Sequence, residues 1–168
     1  MTRGGMVRFT KCVGLLVLSL LQLSAASVAC AGDRLDLDKA VKIGSGKTMV
    51  IEYTDPDCPF CRKAEAYFKK RKDLTRYIFF LPLKSHPMSK GKVQYILSAR
   101  DKAKAYHEAA SDTFDTRKLS EIRPEGVRLQ KEHEEIAKAN GMTATPTFVV
   151  YGRIVKGFNL KELEPLLK

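Results

Sequence analysis

The stretch TDPDCPFCRKAEAYF, residues 54–68, places two thiols three positions apart, at Cys58 and Cys61. An apolar run precedes it, and a segment with helical periodicity follows. Such a pair is open to three interpretations: a redox-active dithiol, one half of a metal site, or two small buried side chains. The residues on either side of the pair favour the first interpretation.

The pair lies at a predicted junction between a strand and a helix. Residues 47–54 (KTMVIEYT) are β-rich and mostly apolar, which is typical of a buried strand. Residues 59–72 repeat apolar side chains at helical spacing, on one face made by Phe60, Ala64, Tyr67 and Phe68. We therefore expect both cysteines in the first turn of a helix that follows a strand.

The remaining pattern predicts an α/β fold. We expect a lead-in helix over residues 35–43, strands over 77–83, 147–151 and 154–156, a polar loop over 112–124, and helices over 92–99, 101–111, 124–139 and 160–167. This order is a βαβ unit followed by a ββα unit, which gives a mixed sheet flanked by helices on both faces. Residues from about 87 to 140 form a helical insertion between the two units.

A helix start suits a reactive thiol. The first backbone N–H groups of a helix have no partner within it, and the helix dipole favours a negative charge there. Pro59 fits the first helical position, which needs no N–H donor. Cys58 is therefore the predicted nucleophile, because the thiolate is the attacking species. Cys61, one turn further in, is predicted to be more buried, to keep a higher pKa and to resolve the mixed disulfide.

This chemistry needs a proton acceptor near Cys61, and Glu52 is the candidate. It is an acid inside an apolar run, and strand alternation puts it on one face with Val50. A buried carboxyl group with a raised pKa can accept the proton that the resolving thiol loses. The alternative is a strand acid at a sheet edge that pairs with a lysine.

The first 31 residues have the composition of a secretory signal peptide. Arg3, Arg8 and Lys11 precede an apolar run of about 11 residues, and small residues follow. A membrane-spanning anchor is the alternative, but it needs about 20 apolar residues. We predict a signal peptide over residues 1–31.

The end of this segment has two interpretations. Ala29-Cys30-Ala31 fits a cleavage site, so that the domain begins near residue 33. Ser27-Val28-Ala29-Cys30 also resembles a lipoprotein signal that ends before Cys30, whose thiol would then carry a lipid anchor. In both cases Cys58 and Cys61 are the cysteines that the folded body keeps. One close pair in an oxidising compartment favours a working dithiol over a structural disulfide.

The chain is strongly basic, with a formal charge of +11. Three of its cations and none of its acids lie in the first 31 residues, which leaves about +8 on the body. This charge can attract acidic partners or anionic membrane surfaces, although a solvated lysine-rich face is the simpler interpretation. Basic and aromatic residues do not alternate as in nucleic-acid binders, so we expect no nucleic-acid partner.

The sequence resembles a known family at two places. IGSGKTMVIEYTDPDCPFCRKAE (43–65) and ANGMTATPTFVVYGRIVKGF (139–158) are similar to the catalytic domain of the bacterial periplasmic disulfide isomerases DsbC and DsbG. The resemblance spans residues 35 to 168 and implies a thioredoxin-like domain over 33–168. A Cys-x-x-Cys after a strand, with Thr-Pro about 85 residues later, carries it.

The resemblance also implies roles for individual residues. Cys58 corresponds to an exposed nucleophile and Cys61 to the resolving cysteine. Pro146 corresponds to a cis-proline beside the active site, with Thr145 before it, and this edge would bind an extended substrate strand. Glu52 stands where the fold keeps a buried acid. The family's isomerases carry a further N-terminal dimerisation domain, for which few residues remain here, so we expect a reductase or a dedicated exchanger.

Two other classes of function remain open. A zinc site would need two ligands besides the cysteines, and the candidates are His86, His107, His133 and Cys30, at spacings that form no second motif. A holdase for unfolded exported chains would use the apolar surface around Phe60. We interpret His86 as a loop residue, with a place in the active site as the alternative, and His107 and His133 as helix-face residues.

The residues between the cysteines tune the pair. We expect Phe60 to contact substrate, with plain helix packing as the alternative. Its side chain, like that of Pro59, offers no polar hydrogen bond, so we expect an intermediate redox potential. The prediction is an exported, periplasmic thiol-disulfide oxidoreductase of reductase or isomerase type, with an oxidant of the same fold as the alternative. We expect no metal or organic cofactor. The partners would be exported proteins with cysteines and a membrane-bound redox partner.

Overall fold

Residues 35–168 are described by a computed structural model, and over this range five strands form one mixed sheet. The strands are β1 (Val41–Gly44), β2 (Thr48–Thr54), β3 (Leu74–Phe80), β4 (Thr147–Val150) and β5 (Arg153–Lys156). The predicted signal peptide, with Cys12, and the predicted lipid site at Cys30 lie outside the described residues.

Five α-helices accompany the sheet within this range. They are α1 (Pro59–Phe68), α2 (Ser89–Ser98), α3 (Lys102–Ala109), α4 (Pro124–Ala139) and α5 (Leu160–Leu163). Short 3-10 helices cover Leu37–Lys39, Thr116–Glu121 and Glu164–Leu166. Over residues 35–168, no helix has both the length and the apolar character that crossing a membrane requires.

The sheet order is β1-β3-β2-β4-β5, with β2 in the centre. β2 runs parallel to β3 and antiparallel to β4, and β4 pairs with β5 as an antiparallel hairpin. The predicted βαβ and ββα units are therefore confirmed, as is the helical insertion between them, which consists of α2, α3 and α4. The chain passes from the central strand directly into α1, and this junction carries both cysteines.

The predicted lead-in helix over residues 35–43 is wrong. Only Leu37–Lys39 forms a 3-10 turn, and Val41–Gly44 is an edge strand antiparallel to β3. Apolar and polar residues alternate in Val41-Lys42-Ile43, and this period of two suits a strand. Val41 is buried against Ile78, so the free edge of β3 determined the local structure.

Several predicted boundaries shift. β3 begins at Leu74 and ends at Phe80, whereas we expected residues 77–83. Its early start follows from pairing with Thr48, the first residue of β2. The polar loop at 112–124 contains a 3-10 helix, and the turn before β5 lies at Tyr151-Gly152, where both residues have positive φ. Such a two-residue turn matches the twist of a hairpin.

Strand alternation divides β2 between two apolar layers. Val50 packs with residues of α1 and α5, including Ala64, Phe68 and Leu163. Tyr53 packs on the opposite face with Phe79 and with Ala137 of α4. Glu52 shares a face with Val50, as predicted, and the structure shows that this face lies under α1.

The insertion is held by close contact between two helices. A Cβ atom at Gly126 in α4 would lie 2.3 Å from the carbonyl oxygen of Gln94 in α2 and 2.0 Å from Ser98 Oγ. This position therefore accepts only glycine without a shift of one helix. The contact fixes α4 against α2 while α4 covers the sheet face that carries Tyr53 and Phe79.

Candidate active site

Cys58 is the residue immediately before α1. Its backbone is extended (φ −73°, ψ 126°), its N–H donates to the Asp55 carbonyl at 3.1 Å, and Pro59 opens the helix. Proline fits there because its fixed φ is helical and this position lacks an intrahelical N–H bond. The local sequence thus places a thiol at the positive end of the helix.

The surroundings of Cys58 favour its thiolate. The Cys58 pKa is lowered to about 5, and a hydrogen bond from the Cys61 thiol is the largest influence. The backbone N–H groups of Phe60 and Cys61 and the charge of His86 also lower it, whereas burial acts in the opposite direction. Burial and the neighbouring Cys58 raise the pKa of Cys61 well above its ordinary value. The two thiols thus differ in the sense predicted for attacking and resolving cysteines.

Both thiols are more covered than the resemblance implied. Cys58 is 4% exposed and Cys61 1% exposed, and they are not bonded to each other. The resemblance implied an exposed nucleophile, and this expectation is wrong. Cys58 Sγ faces the Thr145 carbonyl oxygen at 3.8 Å instead of open solvent. The neighbouring Phe60 side chain is 59% exposed.

The Thr145–Pro146 peptide bond is cis, as expected. The Pro146 carbonyl accepts a hydrogen bond from the Gly157 N–H at 2.8 Å, which fastens this loop to the end of β5. Within residues 35–168, the Thr145 N–H donates to no backbone carbonyl, and its carbonyl faces the Cys58 thiol. The backbone of Thr145 thus presents a donor and an acceptor next to Cys58.

Phe60 does not belong to the core face of α1, contrary to its predicted packing. The buried stripe is Cys61, Ala64, Glu65 and Phe68. The stripe starts one residue after Phe60, so Cys61 is the residue of the first turn that faces the core. The Phe60 ring is left on the surface beside the nucleophile, which suits its expected contact with substrate.

His86 and Asp55 form a pair that sequence reasoning largely missed. Asp55 is fully buried, and its Oδ2 accepts hydrogen bonds from the Leu83 N–H at 2.9 Å and from His86 Nδ1 at 2.8 Å. This hydrogen bond is the main reason why the His86 pKa is raised, and the Cys58 thiolate adds to the effect. The sequence signal that could have predicted this pair is Asp55, an aspartate directly after a buried strand.

Glu52 lies in a buried cluster of charges. Its side chain is fully buried, and Oε2 accepts a hydrogen bond from Arg76 Nη1 at 3.0 Å. The same Nη1 donates to Glu65 Oε2 at 2.8 Å, and Glu65 Oε1 pairs with His107 Nδ1. The partner is thus a buried arginine on β3, whereas the alternative interpretation expected a lysine at a sheet edge.

The protonation of Glu52 is set mainly by its burial. Burial raises the Glu52 pKa, Arg76 lowers it, and Glu65 raises it further, with a net upward shift. Within residues 35–168, its Oε1 has no hydrogen-bond partner. After burial and Cys58, the Thr54 side chain is the next influence on the pKa of Cys61, and it lowers the pKa of Glu52 as well. Thr54 therefore influences both the resolving thiol and the buried acid.

The histidines proposed as zinc ligands are engaged elsewhere. His133 is buried, with Nδ1 accepting from the Phe80 N–H at 3.0 Å and Nε2 facing the Lys39 carbonyl at 2.9 Å. His86 pairs with Asp55 and His107 with Glu65. Among residues 35–168, no three histidine, cysteine or acidic side chains are grouped as metal ligands would be.

Comparison with known proteins agrees with this fold. A family model described as a thioredoxin-like domain matches residues 35–166, almost all of the described chain. A relative from Bordetella avium, named "Probable thiol:disulfide interchange protein DsbC", is 35% identical over 88 residues. The match covers 51% of this chain and 30% of the relative, so the chain spans less than a third of that protein's length.

Solved structures are similar over a larger share of the chain. A disulfide interchange protein from Neisseria gonorrhoeae is 33% identical with a TM-score of 0.67, and the match covers 79% of this chain and 95% of that one. The catalytic domain of Proteus mirabilis ScsC is 20% identical with a TM-score of 0.63, covering 77% and 87%. The second likeness concerns the fold alone.

Proposed function

The chain belongs to the thioredoxin-like domain family, and on this premise we propose that it is an exported thiol-disulfide oxidoreductase acting through Cys58 and Cys61. One observation carries the proposal: a thiol at the start of α1 has a pKa lowered to about 5, mainly by a second thiol one turn further in. The name of the Neisseria relative, a disulfide interchange protein, supports the same activity.

In the reductive direction, the Cys58 thiolate attacks one sulfur of a substrate disulfide. A Cys58–substrate disulfide forms, the substrate S–S bond breaks, and the released sulfur takes a proton from solvent. The lowered pKa supports this role because a large fraction of Cys58 is then thiolate at about neutral pH.

The second step regenerates free substrate. The Cys61 thiol loses its proton, and its sulfur attacks Cys58 Sγ. The Cys58–Cys61 disulfide forms, and the second substrate sulfur leaves as a thiolate. Glu52 is the proposed proton acceptor, supported by its full burial, its raised pKa and an oxygen without a partner within residues 35–168.

The substrate is proposed to be an exported protein with cysteines, held as an added strand. Thr145 offers backbone groups beside Cys58, and the exposed Phe60 ring offers apolar contact. The predicted signal peptide supports a periplasmic location, with a lipid anchor at Cys30 as a further possibility to test. A membrane-bound redox partner would return the pair to its starting state.

One observation keeps the oxidant alternative open. Stabilising the Cys58 thiolate stabilises the reduced protein, which makes its disulfide more oxidising. A Cys58 pKa of about 5 lies between about 7 for thioredoxin and about 3.5 for the strong oxidant DsbA. The redox state of the pair in cells, read by thiol alkylation, distinguishes the directions: free thiols mean reduction or isomerisation, and a disulfide means oxidation.

Two variants test the proposed function. Cys58→Ala should abolish the reduction of insulin disulfides, because no other described thiol is placed to attack. Cys61→Ser should accumulate mixed disulfides on Cys58, because the step that releases substrate is lost. Turnover by Cys58→Ala, or an absence of trapped adducts with Cys61→Ser, contradicts the assigned roles. Holding of unfolded chains that survives Cys58→Ala while wild-type shows no turnover would favour the holdase.

A further inference from the structure

A line of charged side chains runs from the buried acid to the surface. Glu52 is fully buried, Arg76 is 3% exposed, and Glu65 is 5% exposed. Arg76 Nη1 donates to both carboxylates, and Glu65 in turn pairs with His107. The line ends there, because the His107 side chain is 28% exposed. Arg76 and Glu65 thus connect a predicted proton acceptor to a titratable group that solvent reaches.

The cluster cannot easily carry every charge at once. With Glu52 and Glu65 both ionised and His107 neutral, Arg76 balances only one of two buried carboxylates. An uncompensated buried charge is costly. One proton restores neutrality, and it can lie either on Glu52 or on His107. Charge balance therefore links the ionisation of Glu52 to the charge on the rest of this line.

The two carboxylates have different environments. Burial raises the pKa of Glu65, but hydrogen bonds from His107 and Arg76 outweigh it and leave that pKa below its ordinary value. The pKa of Glu52, by contrast, is raised by burial. Glu65 therefore stays ionised as the link, and Glu52 is the carboxyl group that gains and loses the proton.

The imidazole of His107 can change its charge without breaking the link. Nδ1 is bonded to Glu65 Oε1. Because an ionised carboxylate can only accept a hydrogen bond, Nδ1 is the nitrogen that we assign the hydrogen in both charge states. Within residues 35–168, Nε2 has no hydrogen-bond partner among the side chains and backbone groups, so it is the atom that takes up or releases the proton. The ring borders a cavity of about 580 Å³ that leads to solvent.

From this geometry we propose that His107 is a positioning residue for the resolving step, carrying a proton while Glu52 is ionised and releasing it when Glu52 takes the Cys61 proton. The Cys61 proton moves to Glu52, and His107 Nε2 releases a proton to solvent, so the buried charge stays balanced. This inference rests on the proposed function of Cys61 and Glu52 and adds the group that balances the charge when Glu52 takes up the proton; the acid is reset when Glu52 later loses that proton and His107 takes one up from solvent.

Other charged groups also face the two ends of the line. At the inner end the neutral Tyr106 is fully buried, and its pKa is raised by burial and by the nearby Glu52 and Glu65, with Arg76 acting against them. The groups around His107 on its two bordering cavities are Lys69, Arg71, Lys72, Lys104, Glu108, Asp115 and Lys118. Glu108 pairs with Lys118, and Asp115 pairs with Arg117, which leaves Glu65 as the carboxylate bonded to the His107 ring.

The test uses two substitutions that fix the charge of residue 107. His107→Gln keeps a donor toward Glu65 but is always neutral, whereas His107→Lys is always charged. Stopped-flow single turnover with a protein disulfide follows mixed-disulfide formation by Cys58 and its resolution by Cys61 separately. With His107→Gln, resolution at about pH 7 should slow about tenfold and its pH midpoint should rise, because Glu52 stays protonated longer. With His107→Lys the midpoint should fall.

The control is Lys104→Gln, which removes a positive charge one turn earlier in α3 without touching Glu65. Formation of the mixed disulfide should stay within about twofold in all three variants, and Glu65→Gln should abolish the difference between the two substitutions at 107. Equal midpoints for His107→Gln and His107→Lys, or a shift with Lys104→Gln of the same size, overturn the proposal. If the wild-type protein forms no mixed disulfide at all, the proposed function fails instead.

Discussion

The two faces of the central sheet bury polar groups in opposite ways. The face under α1 holds a chain of ion pairs from Glu52 through Arg76 and Glu65 to His107. The face under α4 holds a single buried histidine, His133, whose two nitrogens are bonded to backbone groups of Phe80 and Lys39. On one face the partners are charged side chains, and on the other they are neutral peptide groups.

This difference separates groups that can titrate together from a group that is held in one state. Burial lowers the pKa of His133 to about 4, so it is neutral in the folded protein near pH 7. Protonating its Nδ1 would remove the acceptor of the Phe80 N–H. On the α1 face, a proton can move from one side chain to another while the total charge is kept. The proton transfer that we propose therefore uses the α1 face.

The largest effect is expected from removing the charge at the centre of the α1 face. Arg76→Met leaves two buried carboxylates without a counter-charge and should cost about 3–5 kcal/mol of unfolding free energy at about pH 7. The Glu65 pKa is low because of its partners, so its contribution is present above its ordinary pKa and is lost as the pH falls. The cost of Arg76→Met should therefore shrink toward about pH 4, as urea unfolding at several pH values would measure.

Arg128→Met on α4 is the matched control. Arg128 is 63% exposed and pairs with Glu125 and Glu132 at the surface, so its loss should cost less than about 1 kcal/mol. If Arg76→Met is as mild as this control, the α1-face pairs do not stabilise the fold, and the contrast between the two faces is lost.

His133 should show the opposite dependence on pH. Its pKa falls from 6.5 in the unfolded chain to about 4 in the fold, mainly through burial, so the unfolded state binds the proton more readily. Stability should therefore be intact above about pH 6.5 and fall by about 1.4 kcal/mol per unit, about 3 kcal/mol in all, as the pH drops toward 4.

The comparison variant is His133→Gln. It should be less stable than the wild-type protein at about pH 7, by about 1–3 kcal/mol, because a hydrogen bond to the backbone is weakened. Between about pH 4 and pH 6.5, its unfolding free energy should lack the part of the pH dependence that His133 contributes. Parallel stability curves for the two proteins, measured by urea unfolding, would mean that His133 is not the group that resists acid.

The thiol end of the site could be predicted from sequence because its signals are local. Cys58, Pro59 and Cys61 are set by a few residues at one junction of strand and helix, and the structure puts them there. The fold class also followed from the order of the elements. The edge strand β1 was missed because it forms only against β3, which is distant in sequence.

The charged cluster could not be predicted because it joins four separate elements. Glu52 was found as an acid in an apolar strand, but Arg76 fell outside the predicted bounds of its strand, which was placed from residue 77. Its inward direction became visible only from the pairing of β3 with β2. Glu65 and His107 lie on two different helices, and the periodicity within one helix does not predict how it packs against another. The burial of His133 could not be predicted for the same reason.

The smallest effect is expected from substituting the third histidine, His86. This substitution tests whether pairing with a carboxylate is what distinguishes the histidines of the reactive face. His86 pairs with buried Asp55, as His107 pairs with Glu65, but it acts on Cys58 only through space, after the effects of Cys61 and the backbone. His86→Gln removes its positive charge and should raise the Cys58 pKa from about 5 by less than about one unit. The ultraviolet absorbance of the thiolate, followed over pH, measures this midpoint. Lys84→Gln, on the same loop and exposed, should leave it unchanged. If the midpoint stays fixed in His86→Gln, or moves equally in both variants, the Asp55–His86 pair holds the loop in place without tuning the thiol.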